Sequence, residues 1–310
     1  MKKILMILMI ALLTSCEHRN DAPIRFFVAR NDWGALAIIA YERGYFEKQG
    51  LDVIVTYLPT GVHALEAMIA GSADIGTFSD ANLSNYVFAG GDGVLVVAGI
   101  NTSGSIRIMG RKDAGIINPE DLSGRRLAIS PGTPSEIVAD IFIEMHNLEN
   151  VELVTITPPM TTSALISASV DAIVTWEPFL FNAERILGAS EVVVFDTEEV
   201  FDFLLAVDRN FALENRSCVI KILKALNNAA DFMANNVSEA QIIISEVIQV
   251  DLDVVQGTWG VHSFTVYLDE YLINRVIRIG EFNQYLEVNI GTPFPDFSVF
   301  FDFSFMEGLN

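Results

Sequence analysis

Cysteine is nearly absent: the 310 residues contain only Cys16 and Cys218. A disulfide scaffold or a Cys-rich zinc site is therefore excluded. Histidine is as sparse. His18, His63, His146 and His262 are scattered, and none stands at metal-ligand spacing from another His or Cys. Basic residues are few, with 19 Lys and Arg against 40 Asp and Glu, a net charge of −21. That imbalance argues against nucleic acid or an anionic membrane face as a partner. Gly-rich phosphate loops and a nucleophile elbow are missing. No apolar run reaches the roughly 20 residues that a bilayer span requires. What remains is an apolar fraction of 51%, ample for the core of one large or two ordinary domains.

The first segment is a leader. Met1-Lys2-Lys3 is basic, Ile4 to Leu13 is apolar, and Thr14-Ser15-Cys16 follows directly. Leu13 to Cys16 resembles the lipobox of bacterial lipoproteins, in which cleavage precedes a lipidated cysteine. The expectation is a signal peptide over 1–15, a lipid anchor at Cys16 and a polar tether over 16–23. That places the protein in the cell envelope, extracytoplasmic, in the periplasm or on the outer face of the membrane. Cys218 is then left without a disulfide partner.

From residue 24 strands and helices alternate. Strands are expected over Ile24–Ala29, Val53–Tyr57, Asp74–Thr77 and Val94–Ile100, the last apolar throughout, as in a strand buried on both faces. Ile106–Gly110 is extended. The alternation restarts with Arg126–Ser130, Val151–Ile156, Ala172–Thr175 and Glu191–Phe195, and Phe203–Val207 reads as a return. Beyond Asn215 the chain is mostly helical, and the Phe-rich tail Phe297–Phe305 is expected to pack back onto the first domain. Repeated strand–helix units imply α/β architecture, with two mainly parallel sheets flanked by helices. The restart near residue 112 divides them into lobe 1, 24–108 plus 209–310, and lobe 2, 112–204. Links near Ile106–Gly110 and Leu204–Asp208 would form a double-stranded hinge.

Ligands of such sheets bind beyond the carboxyl ends of the strands. Five turns fall there. They supply Asp32 and Trp33; Thr60 and Gly61; Ser79 and Asp80; Ser130, Gly132, Thr133 and Ser135; and Trp176 and Glu177. Thr133, Pro134 and Glu136 form a capping-box signature, so that turn delivers a helix N-terminus whose free N–H groups suit an anion. With only Arg30 and Arg107 nearby, an anionic end would be held by N–H groups and hydroxyls. Asp32, Asp80 and Glu177 offer carboxylates for an amine or amide end, although Asp32 and Asp80 can equally be helix caps and Glu177 a helix-start residue. Trp33 and Trp176 can stack on a flat ring or wall off an alkyl chain. No catalytic set, metal site or cofactor motif accompanies them. The combination favours a taurine-like sulfonate or an aminopyrimidine over nitrate, for which a facing Lys or Arg is expected.

Four segments in order resemble one family. Ala40-Tyr41-Glu42-Arg43-Gly44-Tyr45-Phe46, continued by Gly50-Leu51-Asp52-Val53, is similar to a signature of the nitrate/sulfonate/taurine-type solute-binding proteins. Ala64 to Gly76, Leu122 to Ala128 and Val170 to Pro178 follow in the family's order. The resemblance implies a two-lobed type II periplasmic-binding-protein fold with the ligand between the lobes. It also implies delivery of a small solute to the permease and ATPase subunits of an ABC importer, by a monomer that is not an enzyme. Thiamine-precursor and riboflavin binders are relatives. Thiamine-pyrimidine synthases and menaquinone-pathway enzymes share the fold. The former use a Cys-rich iron site missing here, and the latter lack a secretion signal. A ligand sensor for a separate signalling partner is the other reading.

Overall fold

A computed structural model describes residues 22–284 and 291–309. The leader, Cys16 and most of the tether lie outside the described residues. The first unit runs β1 (Ile24–Ala29), a 3-10 turn at Asp32–Gly34, α1 (Ala35–Glu42), α2 (Tyr45–Lys48), β2 (Val53–Leu58), α3 (Gly61–Ile69), β3 (Ile75–Ser79), α4 (Asp80–Phe88) and β4 (Val94–Ser103). The second runs β5 (Arg107–Arg111), β6 (Arg126–Ile129), α5 (Pro134–Met145), β7 (Glu152–Thr155), α6 (Thr161–Ile166), β8 (Ala172–Thr175), α7 (Phe179–Leu187) and β9 (Val192–Phe195). The chain returns through β10 (Phe201–Asp208). It then forms α8 (Arg209–Glu214), α9 (Arg216–Asn235), α10 (Val237–Ile248), α11 (Leu252–Thr258), β11 (His262–Ser263), α12 (Glu270–Gln284) and α13 (Ser304–Glu307).

Two helix-flanked sheets result, ordered β11-β4-β10-β3-β1-β2 and β7-β6-β8-β5-β9. In the first, β1 to β4 share one direction, and β10 and β11 are reversed. In the second only β5 is reversed. Each sheet therefore takes in a reversed strand arriving from the other. The chain leaves each sheet at the carboxyl ends of its forward strands, so those ends face one another. The expected hinge is displaced by this pairing. Ile106–Gly110 overlaps β5, inside the second sheet, and Leu204–Asp208 lies in β10, inside the first. The crossings are the segments 104–106 and 196–200, and the expected end of lobe 2 at residue 204 falls within lobe 1.

Both units carry the same lock. Arg25, the second residue of β1, grips Asp74, just before β3, through its backbone N–H at 2.8 Å, Nε at 3.1 Å and Nη2 at 2.6 Å. Arg126 opens β6 and grips Asp171, just before β8, through the same three donors at 2.9, 3.1 and 2.7 Å. The fork geometry of guanidinium on carboxylate fixes which strand lies beside which. It also holds the Asp171 carboxyl below its ordinary range.

The tail closes lobe 1. Phe297, Phe300 and Phe301 pack against Phe78, Leu83 and Val96, and Phe301 bridges Val96. Burial of each Phe contributes about 2–3 kcal/mol. Cys218, 1% exposed in α9, is disulfide-bonded, against the expectation of an unpaired residue.

Helix α5 stacks Glu136 and Asp140 one turn apart. Burial, and then the Glu136 carboxylate, push the Asp140 carboxyl up to about 6. The native chain thus holds this proton more tightly than the unfolded chain does. Stability falls as pH rises from about 4 to about 6, and the penalty persists above that. Asp140→Asn is expected to raise the melting temperature at neutral pH and to match the natural chain below pH about 4, read from melting curves across pH.

Candidate functional site

Five turns leave the carboxyl ends of β1, β2, β3, β6 and β8, and parts of all five meet in one narrow gap between the sheets. After β1, Asn31 caps the 3-10 turn by accepting from Gly34 N at 3.3 Å. Trp33 lines the gap, edge-on to Phe203 at 5.8 Å, and its buried Nε1 has no partner. Asp32 is neither the cap nor a lining residue. Its Oδ2 accepts from His262 Nε2 at 3.0 Å, and His262 Nδ1 in turn faces Asn101 Nδ2 at 3.0 Å. With the amide donating to Nδ1, the ring proton sits on Nε2 and points at Asp32. Oδ1 of Asp32 is buried without a partner.

After β2, Thr60 is the N-cap of α3 but does not cap it. Its Oγ1 lies 2.8 Å from His63 Nδ1 instead. The first-turn amides of α3 therefore lack a side-chain acceptor where they meet the gap. Gly61 allows the approach. A Cβ there would stand 2.7 Å from Phe78 Cα.

After β3, Ser79 and Asn82 form a full capping box on α4, with bonds of 3.1 and 3.3 Å. Asn82 Nδ2 also crosses the gap to donate to Gly132 O at 2.6 Å. Asp80 lies behind the gap, fully buried, accepting from Ala81 N at 2.8 Å and Asp202 N at 2.7 Å. Burial, and then the Asp202 carboxylate, push its carboxyl well above the ordinary range. It anchors the start of β10 and does not line the gap.

The β6 turn differs from the expected capping box. Thr133 Oγ1 accepts from Ser135 N at 3.3 Å, while Glu136 reaches past Thr133 to Gly132 N at 2.9 Å. Gly132, at φ +72°, bends the chain enough for that. Ser130 Oγ donates to Ile156 O, and Ser135 Oγ accepts from Ser130 N, so both hydroxyls hold the loop and leave Thr133 and Pro134 on the gap. After β8, Trp176 faces the gap, and Glu177, followed by a cis Pro178, faces away. Glu177 Oε2 accepts from Phe181 N at 2.9 Å. Burial pushes its carboxyl up, partly offset by that bond, and the Asp32 carboxylate adds to the rise.

Of the expected residues, Trp33, Thr60, Gly61, Ser79, Thr133 and Trp176 meet in the gap. Asp32, Asp80, Ser130, Gly132, Ser135 and Glu177 support it from behind. Asn31, Val62, Asn82, Ile106, Pro134 and Phe203 complete the lining. Asn82 was legible as the third residue after Ser79, a capping-box signature. Phe203 reaches the gap only because β10 inserts into the first sheet. Among the described residues, no Lys, Arg, Asp or Glu lines the gap, and no group of three or more His, Cys, Asp or Glu is placed to hold a metal.

Two sheet-based lobes, crossed twice by the chain and meeting over a gap ringed by turns, define the periplasmic-binding-protein fold. The chain belongs to the NMT1/THI5-like family, whose model matches residues 34–240. A Brucella abortus protein named only as a binding protein is 25% identical over 254 residues, 79% of this chain and 78% of the relative. A Bacillus subtilis protein assigned by name to aliphatic sulfonates is 25% identical over 301 residues, 90% and 87% of the two chains. The alkanesulfonate-binding protein SsuA of Xanthomonas axonopodis pv. citri, solved with MOPS bound, superposes with a TM-score of 0.74 at 17% identity, covering 89% of this chain and 95% of that one. The last shows a shared fold.

Proposed function

We propose that this chain is the extracytoplasmic solute-binding component of an ABC importer, and that its solute is an organic molecule with an acceptor-rich end and an apolar body, of the alkanesulfonate class. The carrying observation is the pairing of an uncharged gap walled by Trp33 and Trp176 with a first turn of α3 that no side chain caps. Backbone N–H groups and the positive end of the helix dipole suit a sulfonate. The indoles suit the alkyl part. An ammonium end, as in taurine, finds no carboxylate there, because Asp32, Asp80 and Glu177 all lie behind the lining. The names of the Bacillus and Xanthomonas relatives support the same class. Binding without transformation fits a lining with no acid or base in it.

A thermal-shift panel tests this. Propanesulfonate is expected to raise the melting temperature, because a ligand of the native state alone stabilises it. Val62→Phe, at a half-buried lining position, is expected to remove most of that shift. A shift from nitrate, an aminopyrimidine or riboflavin with none from propanesulfonate would replace the solute class.

The lipid anchor at Cys16 and the monomeric state belong to the same proposal. The basic and apolar leader followed by Leu13-Thr14-Ser15-Cys16 supports the anchor. Among the described residues no helix is long and apolar enough to cross a membrane. The protein expressed from its full gene is expected to partition into detergent with a lipid adduct on Cys16. A detergent-free product with both cysteines oxidised would contradict the anchor.

A further inference from the structure

A second enclosed space lies behind the wall of the gap. Where the chain first crosses, Ile106 faces the gap while Ser105 and Arg107 face the other way, as alternation along an extended chain requires. The turn after β8 divides Trp176 and Glu177 in the same manner. The space behind holds about 130 Å³ and is bounded on its far side by α11, at Gly257 and Thr258.

Three features of this compartment are unlike the gap. First, it holds opposite charges that do not close on each other. Glu177 Oε1 is 3.8 Å from Arg107 Nη1, beyond hydrogen-bond reach. Glu177 Oε2 is engaged by Phe181 N, and Arg107 Nε by Asp196 at 3.0 Å. One carboxylate oxygen and the outer edge of the guanidinium therefore face shared space. Second, Ser105 is fully buried and its Oγ has no partner. A buried unpaired hydroxyl costs about 1–3 kcal/mol, and such groups in native proteins have a reason. Third, a Cβ on Gly257 would meet no atom within 4 Å, so a larger side chain has room there.

We propose that this compartment is a second binding site, separate from the gap, for a small zwitterion. Its anionic group would lie on the Arg107 guanidinium, and its ammonium would donate to Glu177 Oε1 and Ser105 Oγ. Glycine, β-alanine and taurine carry that chemistry. That volume lies below the range of drug-sized sites, so only a compact ligand of a few heavy atoms fits. Both lobes wall this space as they wall the gap, so filling either favours the closed arrangement and the two ligands bind with positive coupling. The site uses no residue that lines the gap, and it stands whether or not the gap takes a sulfonate.

Titration calorimetry of the protein with glycine, β-alanine and taurine tests it. At least one is expected to bind saturably to the natural chain. Gly257→Leu fills the compartment and is expected to weaken that binding at least about tenfold. Val62→Phe, which narrows the gap, is expected to leave it within about twofold. Ser105→Ala should weaken it several-fold without lowering the melting temperature of the free protein, because it removes an unpaired hydroxyl. Arg107→Gln, at a half-buried position, repeats the test should Gly257→Leu fail to fold, with the same loss expected. No binding by any of the three overturns the proposal. So does binding lost in Val62→Phe and kept in Gly257→Leu, which would put the zwitterion in the gap. Unchanged affinity in Ser105→Ala and Arg107→Gln together overturns it as well.

Discussion

Asp202→Ala is expected to destabilise the protein by about 3 kcal/mol, the largest effect of any single substitution considered. Asp202 is fully buried at the start of β10, where the chain re-enters lobe 1. Its Oδ1 accepts from Thr102 Oγ1 at 2.9 Å, from Tyr267 OH at 2.5 Å and from Arg275 Nη2 at 2.9 Å. Its Oδ2 accepts from Arg275 Nε. Alanine leaves a guanidinium and two hydroxyls without their shared acceptor. Removing one partner of a buried ion pair commonly costs about 3–5 kcal/mol. Arg275 is partly exposed and can recover water, and relief of the push on Asp80 returns a little more, so the lower end applies. Denaturant unfolding of the natural chain and the variant measures the difference. A loss under about 1 kcal/mol would show that the cluster behaves as a surface ion pair.

Gly61→Val is expected to remove binding in the gap while leaving the protein folded. Its Cβ would sit 2.7 Å from Phe78 Cα and 3.0 Å from Phe78 Cβ, so part of the obstacle is backbone. The first turn of α3 must then move away from β3 and carry its amides with it. A hydrogen bond to a charged group contributes about 1.5–3 kcal/mol, so displacing even one lowers affinity about tenfold to about 150-fold. Circular dichroism and the melting curve check the fold, and calorimetry with propanesulfonate checks the affinity. Unchanged affinity would separate the helix start from recognition.

Much of this architecture is written locally. Strand–turn–helix units after β1, β2, β3, β6 and β8 follow from apolar periodicity and turn residues, and they bring the right turns to one place. Side-chain direction within those turns is a different matter. Glu177 turns away to accept from Phe181 N, four residues on, whereas Asp32 and Asp80 sit beside lining residues yet point behind the gap because each has a partner distant in sequence: His262 and Asp202 N–H. No local pattern announces those partners. The hinge lies elsewhere than the sequence pattern suggests for a related reason. β5 and β10 look like connectors in sequence, since each is a lone strand between units. Only their pairing, β5 with β8 and β9 and β10 with β3 and β4, shows them as sheet members. Asn82 had a readable signal in its spacing from Ser79, and its bond across to Gly132 ties one lobe to the other.

The most direct measurement is a crystal structure of the protein grown with the sulfonate that stabilises it most. The solute should appear between Trp33 and Trp176, with its oxygens about 3 Å from the first amides of α3. Solute density elsewhere, with the space between the indoles holding only water, would contradict a gap built to hold it.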